Sequence, residues 1–309
     1  MKYEFVVAGT SVKKNKDAKK LFLDVGNALI FGVIDHHQFE DEQKSATKLV
    51  FENPDLIPLD TESIILHNSP DLDCIASSYL ANFYIKNQKF PSYALELANF
   101  LDKSDFGFSL ENRVNLSSLL SIVKSKVQSN EQIVSLGHTL IENMASTGFD
   151  VKHIPCLYQK EALLIDRDRR IYSKDKVSSR ELECILAKRV DSSEVQLKAL
   201  ILKAPKSKLF KEWAREEGYD LLIVKWSKAR TVISLKADSF YTLKGVGDSL
   251  NALEKLKRSE LDLKIEEENR EGYDIPDPWY DGRAHNFTII DAPMGGTSLS
   301  FDEILGCLC

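Results

Sequence analysis

At 309 residues, 43% hydrophobic and 28% charged, the chain has the make-up of an ordinary globular protein, neither disordered nor fibrous. That length suits one large or two ordinary domains of roughly 150 residues each, and two is the starting expectation. No run approaches the roughly 20 apolar residues of a membrane helix, so no membrane partner is expected. The net charge of -6 argues against a broad polyanion-binding face and so against long duplex nucleic acid.

Met1 to Gly9 reads as a short strand and lacks the apolar core and cleavage site of a signal peptide, so the cytoplasm is the expected location. The cysteines Cys74, Cys156, Cys184, Cys307 and Cys309 are odd in number and scattered. No C-x-x-C pair occurs, which fits a reducing compartment and neither a disulfide framework nor a zinc site.

In chain order, Phe5 to Ala8, Leu21 to Val25, Gly32 to Ile34 and Ser63 to Leu66 read as strands. Cys74 to Lys86, Tyr93 to Leu101, Leu116 to Val127 and Gln132 to Met144 carry apolar residues at helical spacing. This alternation predicts an α/β domain with a mostly parallel sheet over residues 1–150. A boundary falls near Asp150 to Pro155. Ala162 to Ile165, Val195 to Leu202, Leu221 to Val224 and Thr231 to Leu235 then read as strands, and Lys206 to Glu217 as a helix capped by Gly218. Residues 156–309 are therefore expected to form a smaller α+β domain. Glu260 to Glu271 reads as a solvated surface segment, Arg167, Arg169 and Arg170 as a surface turn, and Ser300 as the cap of a last helix.

Three of six histidines lie between positions 36 and 67, among aspartates. Leu-Phe-Leu-Asp24, Gly-Val-Ile-Asp35-His36-His37 and Ile-Ile-Leu-His67 each put a metal-ligand type directly after an apolar strand. In a parallel sheet those strand ends share one edge, where ligands bind. Carboxylates mixed with imidazoles suit Mn²⁺, Fe²⁺ or Mg²⁺ better than structural Zn²⁺. Their surplus suits two ions rather than one. The ordinary alternatives are a solvated Asp-His-His turn and, for Asp71 and Asp73, carboxylates that complement a helix dipole.

These residues resemble the DHH phosphoesterase superfamily, with its exopolyphosphatase-like and oligoribonuclease-like members, through the triplet Asp35-His36-His37. His67-Asn-Ser-Pro-Asp71-Leu-Asp73-Cys-Ile-Ala-Ser77 matches the family's His-x-x-x-Asp-x-Asp motif and Leu23-Asp24-Val25-Gly26 its strand-Asp-Gly motif. Asp105-Phe106-Gly107 fits its fourth acidic motif, with Asp102 as competitor. The family usually carries the His-x-x-x-Asp-x-Asp motif first, so the order here implies a permuted topology.

The resemblance implies that His67 and Asp71 hold one metal, that Asp73, His36 and the fourth-motif aspartate hold the other, and that Asp24 bridges them. It further implies that His37 faces the phosphate while Asp35 orients a histidine. The implied activity is a cytoplasmic, Mn²⁺-dependent phosphohydrolase acting on a small phosphorylated substrate: a short oligonucleotide, a dinucleotide, pyrophosphate or polyphosphate. Two ions are expected, with Mg²⁺ or another divalent metal as substitutes. A non-catalytic nucleotide sensor on the same fold is the competing expectation.

In the second half, Arg230 and the Gly295-Gly296 turn are counterparts of the family's substrate-binding elements, although paired glycines also simply reverse a chain. Around Asp277 to His285, Trp279 or Tyr280 can stack a base, and Arg283 or His285 can hold a phosphate. Equally, Trp279 can cover a small core and Arg283 can pair with Asp281.

Overall fold

Apolar runs ending in a polar residue make the first sheet. In the computed structural model, which describes residues 1–7, 10–37, 44–105, 112–150, 158–188, 191–236, 239–263, 278–282, 287–293 and 295–308, β1 (Lys2–Val6), β2 (Lys20–Leu23), β3 (Leu29–Ile30), β4 (Val33–Ile34) and β5 (Ser63–His67) are ordered β1-β5-β2-β4-β3. β1 with β5, β5 with β2 and β2 with β4 are parallel, and only β3 runs antiparallel, on β4. Ile64, Ile65 and Leu66 of β5 are buried in succession, the continuous apolar pattern of a strand covered on both faces, and Leu21 and Leu23 of β2 are buried on one face.

The helices of this half are α1 (Ala46–Glu52), α2 (Leu72–Asn87), α3 (Ala94–Asp105), α4 (Leu116–Val123) and α5 (Asn130–Met144). Ser45, Asp71, Asn115 and Ser129 cap α1, α2, α4 and α5 through their side chains, each satisfying a backbone N–H that has no partner in the helix. Gly137 of α5 marks a close approach: a Cβ there would stand 2.5 Å from Ile75 Cγ2 on α2.

α6 (Gln159–Val177) follows, then β6 (Arg180–Lys188), β7 (Glu194–Lys203), α7 (Phe210–Glu216), β8 (Leu221–Lys225), β9 (Thr231–Leu235), β10 (Tyr241–Thr242), α8 (Val246–Glu260), β11 (Tyr280–Asp281), β12 (Ile289–Asp291) and α9 (Phe301–Gly306). The second sheet is ordered β10-β6-β7-β8-β9-β12-β11. Only β7 and β8 pair in parallel. The chain is thus a mixed α/β protein with two mixed sheets. By contacts it divides into two compact units, one from Met1 to Asp166 and one from Arg167 onward, the division falling inside α6.

Several second-half expectations are corrected. Ala162 to Ile165 is helix, within α6, because four apolar residues set among Gln, Lys, Glu and Arg have no turn signals to bound a strand. Arg167, Arg169 and Arg170 also lie in α6 rather than in a turn: Arg169 pairs with Glu216 at 3.0 Å and stacks over the Trp213 ring. β6 and α8 carried no expectation, and α8 takes up Glu260. The rest of the charged segment, 264–271, lies outside the described residues. Trp279 is 1% exposed in the core of the second unit, beside Leu250, Ile290 and Leu299, so it covers a core and is not open to stack a base. The capping box at Ser300 is present. Cys74, Cys184 and Cys307 are free, and no helix among the described residues is long and apolar enough to cross a membrane.

Candidate metal centre

β5, β2 and β4 are parallel neighbours, so their C-terminal ends lie on one sheet edge. Asp24 is the first residue past β2, Asp35 the first past β4, and His67 the last of β5. Asp24 takes a left-handed backbone, φ +55°, and opens a turn in which Gly26 has φ +124° and Asn27 φ +52°. Gly26 is required there: a Cβ would stand 2.5 Å from Val33 Cγ1. Left-handed conformations at non-glycine residues gather at functional sites. Past β5, Ser69 takes φ +58°, and Asp71 caps α2 by accepting the Cys74 N–H at 3.0 Å.

The centre is built around Asp24, which is 3% exposed. Its Oδ1 lies 3.3 Å from His36 Nε2 and its Oδ2 3.4 Å from His67 Nε2; His67 Nε2 is also 3.7 Å from Asp71 Oδ2. On the far side of each ring, Nδ1 meets a backbone carbonyl: Lys44 O at 3.0 Å for His36 and Asn68 O at 2.9 Å for His67. A carbonyl only accepts, so both Nδ1 atoms carry the hydrogen. In the neutral rings, both Nε2 lone pairs therefore face Asp24. Asp24 Oδ1 is buried and accepts no hydrogen bond, an arrangement that is costly unless a cation or proton lies between the facing acceptors. An Nδ1–H held by a carbonyl behind an inward Nε2 is the usual outer support of a metal-binding histidine.

Two groups of ligand atoms share Asp24, each with all its atoms within 4.8 Å of one another: Asp24, Asp35, His36 and His37 in one, Asp24, His67 and Cys74 in the other. Their charges are strongly coupled. Burial works against the Asp24 carboxylate, yet His36 and His67 outweigh it and hold the carboxyl below its usual range. Burial likewise opposes the His67 imidazolium, and Asp24 and Asp71 outweigh it, holding the ring well above its ordinary value. A divalent cation among these groups would take the place of that proton, because imidazole and carboxylate bind metal in their deprotonated forms. The carboxylate and imidazole donors, with one buried thiol, fit such an ion.

Asp35 plays a different part. Its Oδ2 accepts the Asn27 N–H at 2.7 Å, bracing the Asp24 turn, and its Oδ1 lies 2.5 Å from His37 Nδ1. Burial opposes the charged form of both groups, and their mutual attraction outweighs it, lowering the carboxyl and raising the imidazole.

Asp73 and Asp102 stand outside both groups. Asp73 accepts from Ala46 N, Thr47 N and Thr47 Oγ1 at 2.6, 2.9 and 2.6 Å. Asp102 accepts from Ser45 N and Oγ at 2.8 and 2.7 Å. Both carboxylates thus serve the N-terminus of α1, where unpaired N–H groups and the helix dipole attract them. Asp105 ends α3, and its side chain lies outside the described residues, as do Arg283 and His285. Arg230 is exposed and pairs with Asp291 at 3.7 Å. Gly296 packs against Ala229 and gives its carbonyl to Arg258, beside an exposed Gly295. Cys74 carried no chemical expectation; it lies in the first turn of α2, three residues past the N-cap Asp71, and its thiol falls in one group with Asp24 and His67.

The chain matches no family model, no curated protein and no solved structure.

Proposed function

We propose that the chain is a divalent-metal-dependent phosphohydrolase of the DHH phosphoesterase kind, cleaving a phosphodiester or phosphoanhydride bond in a small phosphorylated substrate. The observation that carries this reading is Asp24: each of its buried oxygens faces the Nε2 of a histidine whose Nδ1 is tied to a carbonyl. His36 and Asp24 would hold one ion. His67, Asp71 and Asp24, with Cys74 in reach, would hold the other, and Mn²⁺ is the ion this oxygen and nitrogen donor set suits, with Mg²⁺ as substitute. Such an ion pair, when bound, neutralises phosphoryl oxygens and acidifies an attacking water.

The chain's own residues supply position and a proton. The turn at Asp24 fixes the shared carboxylate in advance, so little reorganisation is left for the reaction. Asp35 takes His37 Nδ1, sets the ring's orientation and favours its charged form. His37, a quarter exposed, then has Nε2 as the atom that passes a proton to the leaving oxygen.

The test is phosphate release with Mn²⁺ across dinucleotides, pyrophosphate, polyphosphate and a nitrophenyl ester. Release that needs the metal and stops on chelation is the expected result. Metal binding without turnover on any substrate would favour the sensor reading, and absence of metal binding would end both.

A further inference from the structure

The first unit also holds a cavity of about 170 Å³ beside Asp71, at the start of α2. Asp71 and Asp73 line one side, and Ser104, Ser117, Ser121 and Lys124 line the rest with three leucines. Ser117, Ser121 and Lys124 are spaced four and three apart, one stripe of α4 and its C-cap. The neighbouring α4 positions Leu116, Leu119, Ile122 and Val123 are buried apolar residues. Among the described residues, none of the four side chains Ser104, Ser117, Ser121 and Lys124 makes a hydrogen bond or an ion pair. The Lys124 ammonium lies near enough to Asp71 to act on its charge, and three half-buried hydroxyls without hydrogen-bond partners around one cavity are uncommon, because such groups find donors and acceptors.

We propose that this cavity seats a single phosphoryl group of the substrate, held by Lys124 and the Ser104, Ser117 and Ser121 hydroxyls on one side and reaching the metal centre past Asp71 on the other. The inference rests on the metal-centre reading, since Asp71 is common to both. The acidic side is offset: both Asp73 oxygens are turned to N–H and O–H donors of α1, and Asp71 accepts the Cys74 N–H and faces His67, where it would also face the cation. At about 170 Å³ the cavity is smaller than the roughly 300–1,000 Å³ that enclose drug-sized ligands. It suits a terminal phosphoryl group of a phosphomonoester or a phosphoanhydride, with no room for a nucleoside on the same side. Recognition of the anion therefore belongs to α4, an element for which sequence reading gave no role.

Calorimetric titration tests it, first with Mn²⁺ and then with inorganic phosphate on the Mn²⁺-loaded protein. Lys124→Ala should weaken phosphate binding about ten- to a hundredfold, as expected for a lost charge-assisted hydrogen bond, with Mn²⁺ affinity unchanged. Lys124→Arg should restore most of the loss, and the double change Ser117→Ala with Ser121→Ala should weaken phosphate by a smaller factor. Lys126→Ala, which removes an exposed lysine paired with Glu161, should change nothing. Phosphate affinity equal in Lys124→Ala and the unaltered protein, an equal loss in Lys126→Ala, or no phosphate binding to the Mn²⁺-loaded protein would each overturn the pocket and leave the centre standing. Failure of the unaltered protein to bind Mn²⁺ would overturn the centre itself, and the pocket with it. If Lys124→Ala no longer binds Mn²⁺, the serine pair decides by the same criterion.

Discussion

Asp24 in the first unit and Glu254 in the second are both buried carboxylates, and their surroundings are opposite. Glu254, 0% exposed, accepts from Ser298 N at 2.8 Å, Ser298 Oγ at 2.7 Å, Trp279 Nε1 at 3.2 Å and Arg258 Nε at 2.8 Å, and from the Thr297 hydroxyl. Asp168 repeats the pattern, accepting from Ser207 Oγ at 2.6 Å, Lys208 N at 2.8 Å, Leu209 N at 3.1 Å and Trp213 Nε1 at 3.0 Å. Every oxygen of these two groups accepts at least one hydrogen bond, and the bonds tie helix to loop. Asp24 instead turns Oδ1 to His36 Nε2 and Oδ2 to His67 Nε2, ring nitrogens that are themselves acceptors when neutral. A buried carboxylate met by N–H and O–H groups is architecture, whereas one met by imidazole acceptors needs a proton or a cation between them, and the proposed metal centre uses that difference.

The comparison breaks most sharply at Asp24. Asp24→Asn keeps the shape and tolerates the left-handed backbone, so circular dichroism should show a folded protein. Metal binding should be lost, and turnover should fall by about 10⁴ or more, over 5 kcal/mol of barrier. An Asp24→Asn protein that still binds Mn²⁺ tightly would place the ion elsewhere.

How far this centre was legible in the sequence follows from what each residue depends on. Asp24, His36 and His67 were readable because each stands at or just past the end of an apolar strand, and three such strands must share an edge if the sheet is parallel. The Asp73 and Asp102 environment was not readable: it depends on where α1 lands against α2 and α3, a tertiary fact with no local signature. The same holds for the carbonyls of Lys44 and Asn68, which any residue supplies. In the second unit, Glu254 sits on a helix whose pattern went unread, and all its donors but Arg258 come from Trp279, Thr297 and Ser298, far along the chain. The four-residue run at Ala162 read as strand because so short a segment carries no period of its own.

At Glu254 the same logic predicts damage to the fold and none to the metal. Glu254→Ala leaves Arg258 buried without its partner and should destabilise by about 3–5 kcal/mol in urea unfolding, while Mn²⁺ titration of the folded protein is unchanged. Burial pushes this carboxyl up, and the donors from Ser298, Thr297 and Arg258 outweigh it, so it sits below the ordinary 4.5. A depressed value means that the stabilisation is complete above pH 4.5 and declines as pH falls toward the folded value. Acid unfolding of the second unit should follow that course, and Glu254→Gln should flatten it.

Gly296 sharpens the comparison on a smaller scale. Its φ is +93°, and a Cβ would stand 2.8 Å from that of Ala229. Gly296→Ala should therefore cost about 1–3 kcal/mol in stability with kcat preserved on the surviving folded protein. A loss of kcat at unchanged stability would instead make the turn an anion-binding element.

Arg230 gives the smallest effect and the finest discrimination. Its guanidinium is exposed and stands 3.7 Å from Oδ2 of the partly exposed Asp291, a long contact with one end in water, of the kind that contributes about 0.2–1 kcal/mol. Arg230→Ala should change unfolding free energy by less than about 1 kcal/mol, which makes it a clean probe of substrate contact. An exposed arginine that touches the distal part of a substrate is worth the same small amount, so kcat/KM on the preferred phosphorylated substrate should fall by no more than about fivefold. A nitrophenyl ester, too small to extend beyond the reacting phosphoryl group, should be hydrolysed as before. Loss on both substrates would mean that Arg230 acts at the phosphoryl group itself. Loss on neither would leave it as one half of a surface ion pair, the role its partner Asp291 already explains.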